Sequence, residues 1–137
     1  MKLSTRTRYG TRALLELALR QGEGPVFLKD IARQQQISLS YLEHLVTPLI
    51  SGGIIRSIKG PKGGVTLVKK PEEINLMEVT RLLEGSLAPV ECVDNPDICE
   101  RSAECVTRDI WGEVKAAMNR VLEATTLQDL VERRKKK

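Results

Sequence analysis

Aromatic side chains are almost missing from this chain of 137 residues, which has one Trp, two Tyr and one Phe. Its core must therefore be aliphatic. No apolar run approaches the roughly 18 residues that a membrane-spanning helix needs. The opening MKLSTRTRYG is charged and polar, unlike the apolar stretch of a secretory signal. Both absences lead to the expectation of a cytoplasmic location. Histidine occurs once, at His44, with no pocket-forming motif beside it to suggest general-base chemistry. Cysteine is absent everywhere except a window of 14 residues that holds Cys92, Cys99 and Cys105. In a reducing compartment, clustered thiols point to metal or redox chemistry rather than to a structural disulfide. An odd number also cannot pair fully within one chain.

Charge is present but unevenly placed. Residues 1–70 hold 12 Lys/Arg against four acidic residues, a balance of +8. Residues 71–132 hold five against 14, a balance of −9, and the closing RRKKK adds +5 to reach the net +4. A basic front half reads as a surface for a polyanion, and an acidic rear half should face away from it. The RRKKK run, 133–137, reads as a disordered, solvated end.

Apolar periodicity supplies the elements. Residues 4–21 carry Tyr9, Ala13, Leu14, Leu17 and Ala18 at helical spacing. Gly22, Gly24 and Pro25 end that helix. A short second helix covers 28–35, with Leu28, Ile31 and Ala32 inward. In ISLSYLEHLVTPLISGG, Ser38 is an apt N-cap. Leu39, Leu42, Leu45, Val46, Leu49 and Ile50 then repeat at helical spacing up to Gly52-Gly53. Pro48 should cost about 3 kcal/mol in that helix and produce a local kink or a less regular helix.

Two short helices with a tight connection, the second amphipathic and capped, form a helix-turn-helix. Ser40, Tyr41, Glu43, His44 and Thr47 take the outward positions of the second helix. IIRSIKGPKGGVTLVKK follows, with β-branched runs at 54–58 and 65–68 around a glycine-rich tip. A hairpin directly after a helix-turn-helix is a wing. Arg56, Lys59, Lys62, Lys69 and Lys70 make it basic, suited to phosphates or to a minor groove. The tip GPKGG matches neither nucleotide-binding glycine pattern.

Residues 75–84 form a further helix, with Asn75 and Glu78 spaced for a capping box and Ile74 and Val79 for a hydrophobic staple. Residues 86–102, with Pro89, Pro96 and two cysteines, read as a loop without regular structure. A long helix follows over 103–124, spanning ~33 Å. Its stripe of Ile110, Val114, Ala117, Met118, Val121 and Leu122 is too long for a small domain to cover. A second copy of the same helix, in a two-fold dimer, is the expected cover. Thr126 caps a final short helix.

The expected fold class is mainly α with a small β-hairpin wing. A winged helix-turn-helix DNA-binding domain spans 1–85 and a cysteine loop 86–102. A dimerisation helix and short terminal helix span 103–132, and a basic tail 133–137.

Together, the opening MKLSTRTRYG, ISLSYLEHLV, the wing IKGPKGG and three cysteines ahead of a helix holding Trp111 resemble the Rrf-type family of bacterial winged-helix regulators. Its members include IscR, NsrR and CymR, and the likeness covers essentially the whole chain. The resemblance implies a homodimer crossed through the long C-terminal helices. It also implies a recognition helix over 38–47 in the major groove of an operator and a wing tip in the minor groove. Base-contacting positions of the family match Ser38, Ser40, Tyr41 and Glu43. The wing-tip arginine of IscR matches Lys59, a point charge without the planar fork. With His44, Arg56 and Lys62 these residues make up the expected DNA-binding set.

For the thiols, C-x6-C-x5-C fits neither zinc-ribbon nor ferredoxin spacing. The resemblance implies an iron–sulfur cluster, 2Fe-2S ahead of 4Fe-4S, on Cys92, Cys99 and Cys105. The histidine that completes the IscR cluster corresponds to Arg108 here, and the partner-subunit aspartate of NsrR to Arg8. Arginine is no ligand. Asp94, Asp97, Glu100, Glu104, Asp109, water and a small thiol stay open for the fourth position. The expected function is a non-enzymatic DNA-binding regulator, a repressor, tuned by the cluster. Alternatives are a cluster-free thiol or metabolite switch of the CymR type and, in another class, a small iron–sulfur redox protein.

Overall fold

In the computed structural model, residues 2–137 are described; Met1, the first residue of the expected 1–85 domain, lies outside them. The first helix, α1, runs Thr5–Leu19. Ser4 caps it by accepting from the Thr7 N–H at 3.3 Å. Helix α2 covers Leu28–Gln35 and ends on Gln36, which turns the chain in the left-handed region at φ 55°. Helix α3 covers Leu39–Ser51, with Ser38 accepting from the Tyr41 N–H at 3.1 Å as its cap. The helix runs on through Pro48. Proline removes one N–H, and the carbonyl it orphans belongs to His44, an exposed residue within reach of water.

Strands β1 (Ile55–Ile58) and β2 (Gly64–Leu67) pair antiparallel, with Ile55 opposite Leu67 and Ile58 opposite Gly64. Val26, ahead of α2, adds both hydrogen bonds of a bridge to Val65 at 2.9 Å and so anchors the hairpin to the helical body. A 3-10 turn at Pro71–Glu73 leads into α4, Leu76–Leu83. Asn75 caps α4 by accepting from the Glu78 N–H at 3.0 Å. The expected capping box is only half present, because the Glu78 carboxylate turns to Lys69 instead.

The segment expected to be a plain loop contains a short helix, α5 (Glu91–Asp94), and a 3-10 turn at Pro96–Ile98. The long helix, α6, covers Val106–Ala124, three residues shorter at its start than expected, because Cys105 is its N-cap. Helix α7, Leu127–Lys135, opens with a full capping box between Thr126 and Asp129. It carries Arg133, Arg134 and Lys135 in its last turn, so helix continues into the tail expected to be disordered.

One aliphatic core unites α1, α2, α3, the hairpin, α4 and α7. Leu14, Ile31, Leu42, Leu45, Leu49, Ile55, Ile74, Val79 and Leu127 are almost fully buried there. Each contributes about 1.5–3 kcal/mol by leaving water. Helix α6 differs: none of its residues is buried. It packs along α4 and α5 with its side chains only half-buried or exposed, and α7 returns the chain to α1.

Candidate nucleic-acid interface and cysteine segment

The first face is built by α3. Its apolar stripe, Leu42, Leu45, Val46 and Leu49, is consumed by the core. Helical geometry then leaves Ser40, Glu43, His44 and Thr47 exposed on the other side. Ser38 is also exposed, but its hydroxyl already serves the helix cap. Tyr41 is not free as expected. Its hydroxyl shares a 2.9 Å hydrogen bond with Thr5 Oγ1, and its ring meets Tyr9 edge-on, centroids 6.2 Å apart. The Arg8 and Arg12 guanidinium groups lie over the Tyr9 ring at 5.9 and 5.0 Å. Arg12 Nε also donates to the buried Gln35 at 2.7 Å, and Gln35 donates to Glu16 at 3.0 Å. This linked set, which no local sequence signal exposes, fixes α1 against α2 and α3.

On the wing, Lys59 and Lys62 are exposed at the tip. Arg56 lies elsewhere, facing with Thr66 a groove of about 300 Å³ that Leu17 and Arg20 of α1 also line. Lys69 pairs with Glu78 at 3.5 Å, at the foot of the hairpin. Gly63 and Gly64 admit no side chain. A Cβ on Gly63 would stand 2.1 Å from the Ile58 carbonyl oxygen, and Gly64, at φ +143°, would place one 2.4 Å from that of Val26.

The cysteine segment is the second candidate site. All three thiols are free, Cys99 exposed and Cys92 and Cys105 half-buried. Cys105 Sγ lies 3.1 Å from Thr107 Oγ1. That hydroxyl, with the Arg108 backbone N–H at the start of α6, lowers the Cys105 thiol below its ordinary value. Arg108, at the position where a ligand histidine was weighed, instead clamps the segment. Its Nε donates to the Cys92 carbonyl at 2.8 Å and its other arm reaches the Ser102 carbonyl at 3.5 Å. Asp94 accepts from Lys115 of α6 at 2.6 Å and from Ser86. The Lys115 ammonium, then the Ser86 hydroxyl, hold its carboxyl below the usual carboxylate range.

Thiols are the right donors for iron, yet this fold does not gather them. Among the described residues, no three His, Cys, Asp or Glu side chains stand together as a metal-holding group. The Ser102 hydroxyl is buried and has no hydrogen-bond partner. The segment is otherwise exposed or half-buried, so little packing resists its rearrangement. No described helix is long and apolar enough to cross a membrane.

The profile of the Rrf2 family, "Iron-dependent Transcriptional regulator", matches residues 3–133. Protein rrf2 of Nitratidesulfovibrio vulgaris is 49% identical over 131 residues, covering 96% of this chain and 87% of that one. Among solved structures, CymR, the global cysteine regulator of B. subtilis, superposes with a TM-score of 0.81 at 39% identity, covering 96% of this chain and 97% of the other. IscR of T. potens superposes with a TM-score of 0.80 at 36% identity, covering 96% and 87%. Both the family description and the CymR title name a regulator. The chain is a member of the Rrf2 family of transcriptional regulators, built on a winged helix-turn-helix.

Proposed function

We propose that this regulator is a cytoplasmic repressor that binds duplex DNA as a homodimer and takes its signal through the cysteine segment. The observation that carries the reading is the exposed polar face of α3 beside a basic hairpin tip. Ser40, Glu43 and His44 would meet base edges in the major groove, with Ser38 and Tyr41 holding the N-terminal turn of the helix at the correct height. Lys59 and Lys62 would lie on phosphate or in the minor groove, while Arg56 stands back from the tip. The apolar side of α6 would be covered by α6 of a second copy, which spaces two recognition helices for two half-sites.

The signal proposed is an iron–sulfur cluster, of the 2Fe-2S type, with Cys92, Cys99 and Cys105 as its protein ligands. The family's iron-dependent description and the three thiols in one exposed segment support it. When bound, such a group supplies a centre sensitive to oxidants and to iron supply. Arg108 would then have to release the Cys92 carbonyl for the segment to close. A second reading is a cluster-free thiol switch of the CymR kind. It is favoured by the ungathered thiols and by the Arg108 clamp, which ties the Cys92 carbonyl to α6.

Anaerobic reconstitution with iron and sulfide, followed by absorption spectra and DNA titration, separates the two. A visible chromophore together with a changed operator affinity is the expected result. A colourless product whose DNA affinity responds to thiol oxidation alone would replace the cluster with the switch.

A further inference from the structure

Glu84 ends α4 and is separated from the cysteine segment by Gly85, which turns the chain at φ +84°. Its carboxylate is half-buried and turned to α1. Oε2 accepts from the Ser4 N–H at 3.1 Å and from the Ser4 hydroxyl at 2.6 Å, Oε1 lies 3.2 Å from the same N–H, and Thr7 Oγ1 donates to Oε2 as well. One carboxylate thus grips the first turn of α1 through two residues some 80 positions away in the chain. Hydrogen bonds to an ionised acceptor are the strong kind. The gripped turn is the one that buttresses the recognition helix. Thr5, between Ser4 and Thr7, shares the hydrogen bond with Tyr41 of α3, and Tyr9, one turn on, carries the edge-on contact with the same ring.

Beyond Gly85, the chain is tied down again. Ser86 donates to Asp94, and Asp94 is held by Lys115 of α6. Asp94 closes α5, the helix that carries Cys92. Two sets of hydrogen bonds, Asp94 with Ser86 and Glu84 with Ser4 and Thr7, are therefore joined by two residues of backbone through Gly85, and Thr5, inside the gripped turn, carries the second set to Tyr41.

We propose that Glu84 is a positioning residue that couples the conformation of the cysteine segment to the placement of the recognition helix. A change in the segment that breaks Ser86 from Asp94 moves Gly85, draws Glu84 off the first turn of α1, and releases Thr5 from Tyr41. The inference rests on the DNA-binding reading above and on the cysteine segment being the input. It adds the residue through which the two communicate. Coupling between two sites is reciprocal, so DNA on α3 must alter the segment as much as the segment alters DNA binding.

The test measures maleimide alkylation of Cys92 in the full-length protein by mass spectrometry, with and without saturating random-sequence duplex DNA at low salt. In the wild type, DNA is expected to change the Cys92 rate about fivefold or more. In Glu84→Gln, which weakens the grip without removing its shape, the ratio should fall towards one while DNA is still bound. Asp94→Asn should do the same, and the double variant should lose no more than either single one, as expected for groups acting in one chain. Ser4→Ala with Thr7→Val breaks the same grip from the α1 side and replaces Glu84→Gln if that variant folds poorly. An unchanged ratio in these variants would make Glu84 a mere staple between α4 and α1. DNA-bound wild type with a ratio of one would overturn the coupling and leave the DNA-binding reading standing. Wild type that binds no duplex at low salt would remove that reading, and the coupling with it.

Discussion

Lys59 and Glu84 carry the plainest expectations for single side chains. Lys59 is exposed at the wing tip. If it rests on phosphate, Lys59→Ala weakens binding to all duplex sequences alike and flattens the log–log salt dependence by about 0.9. Fluorescence anisotropy titrations over a series of salt concentrations check this. Loss confined to A·T-rich duplexes would show minor-groove reading instead. For Glu84, partial burial pushes its carboxyl upward, but hydrogen bonds from Ser4 and Thr7 and the nearby Arg6 charge outweigh this and hold it below the ordinary 4.5. The folded state therefore binds the Glu84 proton less readily than the unfolded chain. The stability it confers is complete above 4.5 and is lost as pH falls through the depressed folded value. The melting-temperature gap between wild type and Glu84→Gln should be full near neutrality and close on acidification; a gap that widens in acid would contradict the grip. Residues whose signal is local were legible in the sequence. Ser38, Asn75 and Thr126 announce themselves as caps by type and by the apolar run that follows each. Glu84 and Tyr41 were not legible in this way, because their partners lie 80 and 36 positions away and nothing in the neighbouring residues encodes the contact.

At the scale of elements, the hairpin is the most demanding piece. Gly64 occupies φ +143° with the Val26 carbonyl against its missing Cβ, and both hydrogen bonds of the Val26–Val65 bridge depend on that approach. Gly64→Ala should cost about 1–3 kcal/mol from backbone strain, more if the bridge opens. Thermal melting measures the cost, and loss of hydrogen-exchange protection at Val26 and Val65 would locate it. An unchanged melting temperature would mean that the bridge yields freely. The helices of the DNA-binding half were readable because their apolar residues repeat with the period of the face they bury. The cysteine segment was not, because its short helix and 3-10 turn bury no hydrophobic stripe. Their order comes from Arg108 and Lys115 reaching back from α6. The C-terminal tail misled for a related reason. Five consecutive cations suggest a solvated coil, yet the capping box at Thr126 and the burial of Leu127 and Val131 nucleate α7, and helix propagates into the charges. Cations at a helix C-terminus also complement its dipole.

For the whole molecule, the deciding feature is what α6 leaves uncovered. Val106 is 75% exposed, Val121 66% and Ile110 51%, on a 19-residue helix with no buried residue. An aliphatic protein so short of aromatic residues has little hydrophobic surface to spare, and this much of it standing in water argues for a partner. A second copy is the partner that the polar α3 face also calls for, since two recognition helices double the contacts made in one encounter. Linking two half-site contacts raises affinity by about 10²–10⁴ over one, provided both can engage together. Val121→Asp places a charge in the proposed seam at a side chain that is 66% exposed in the single chain. If α6 forms the dimer seam, sedimentation should show a dimer for the wild type and a folded monomer for Val121→Asp, and operator affinity should fall by a factor in that range. Helix content and the core's melting should change little, because no residue of α6 is buried in the single chain. A Val121→Asp protein that stayed dimeric, or a monomer that bound DNA as tightly as the wild type, would show that α6 is not what places the two recognition helices.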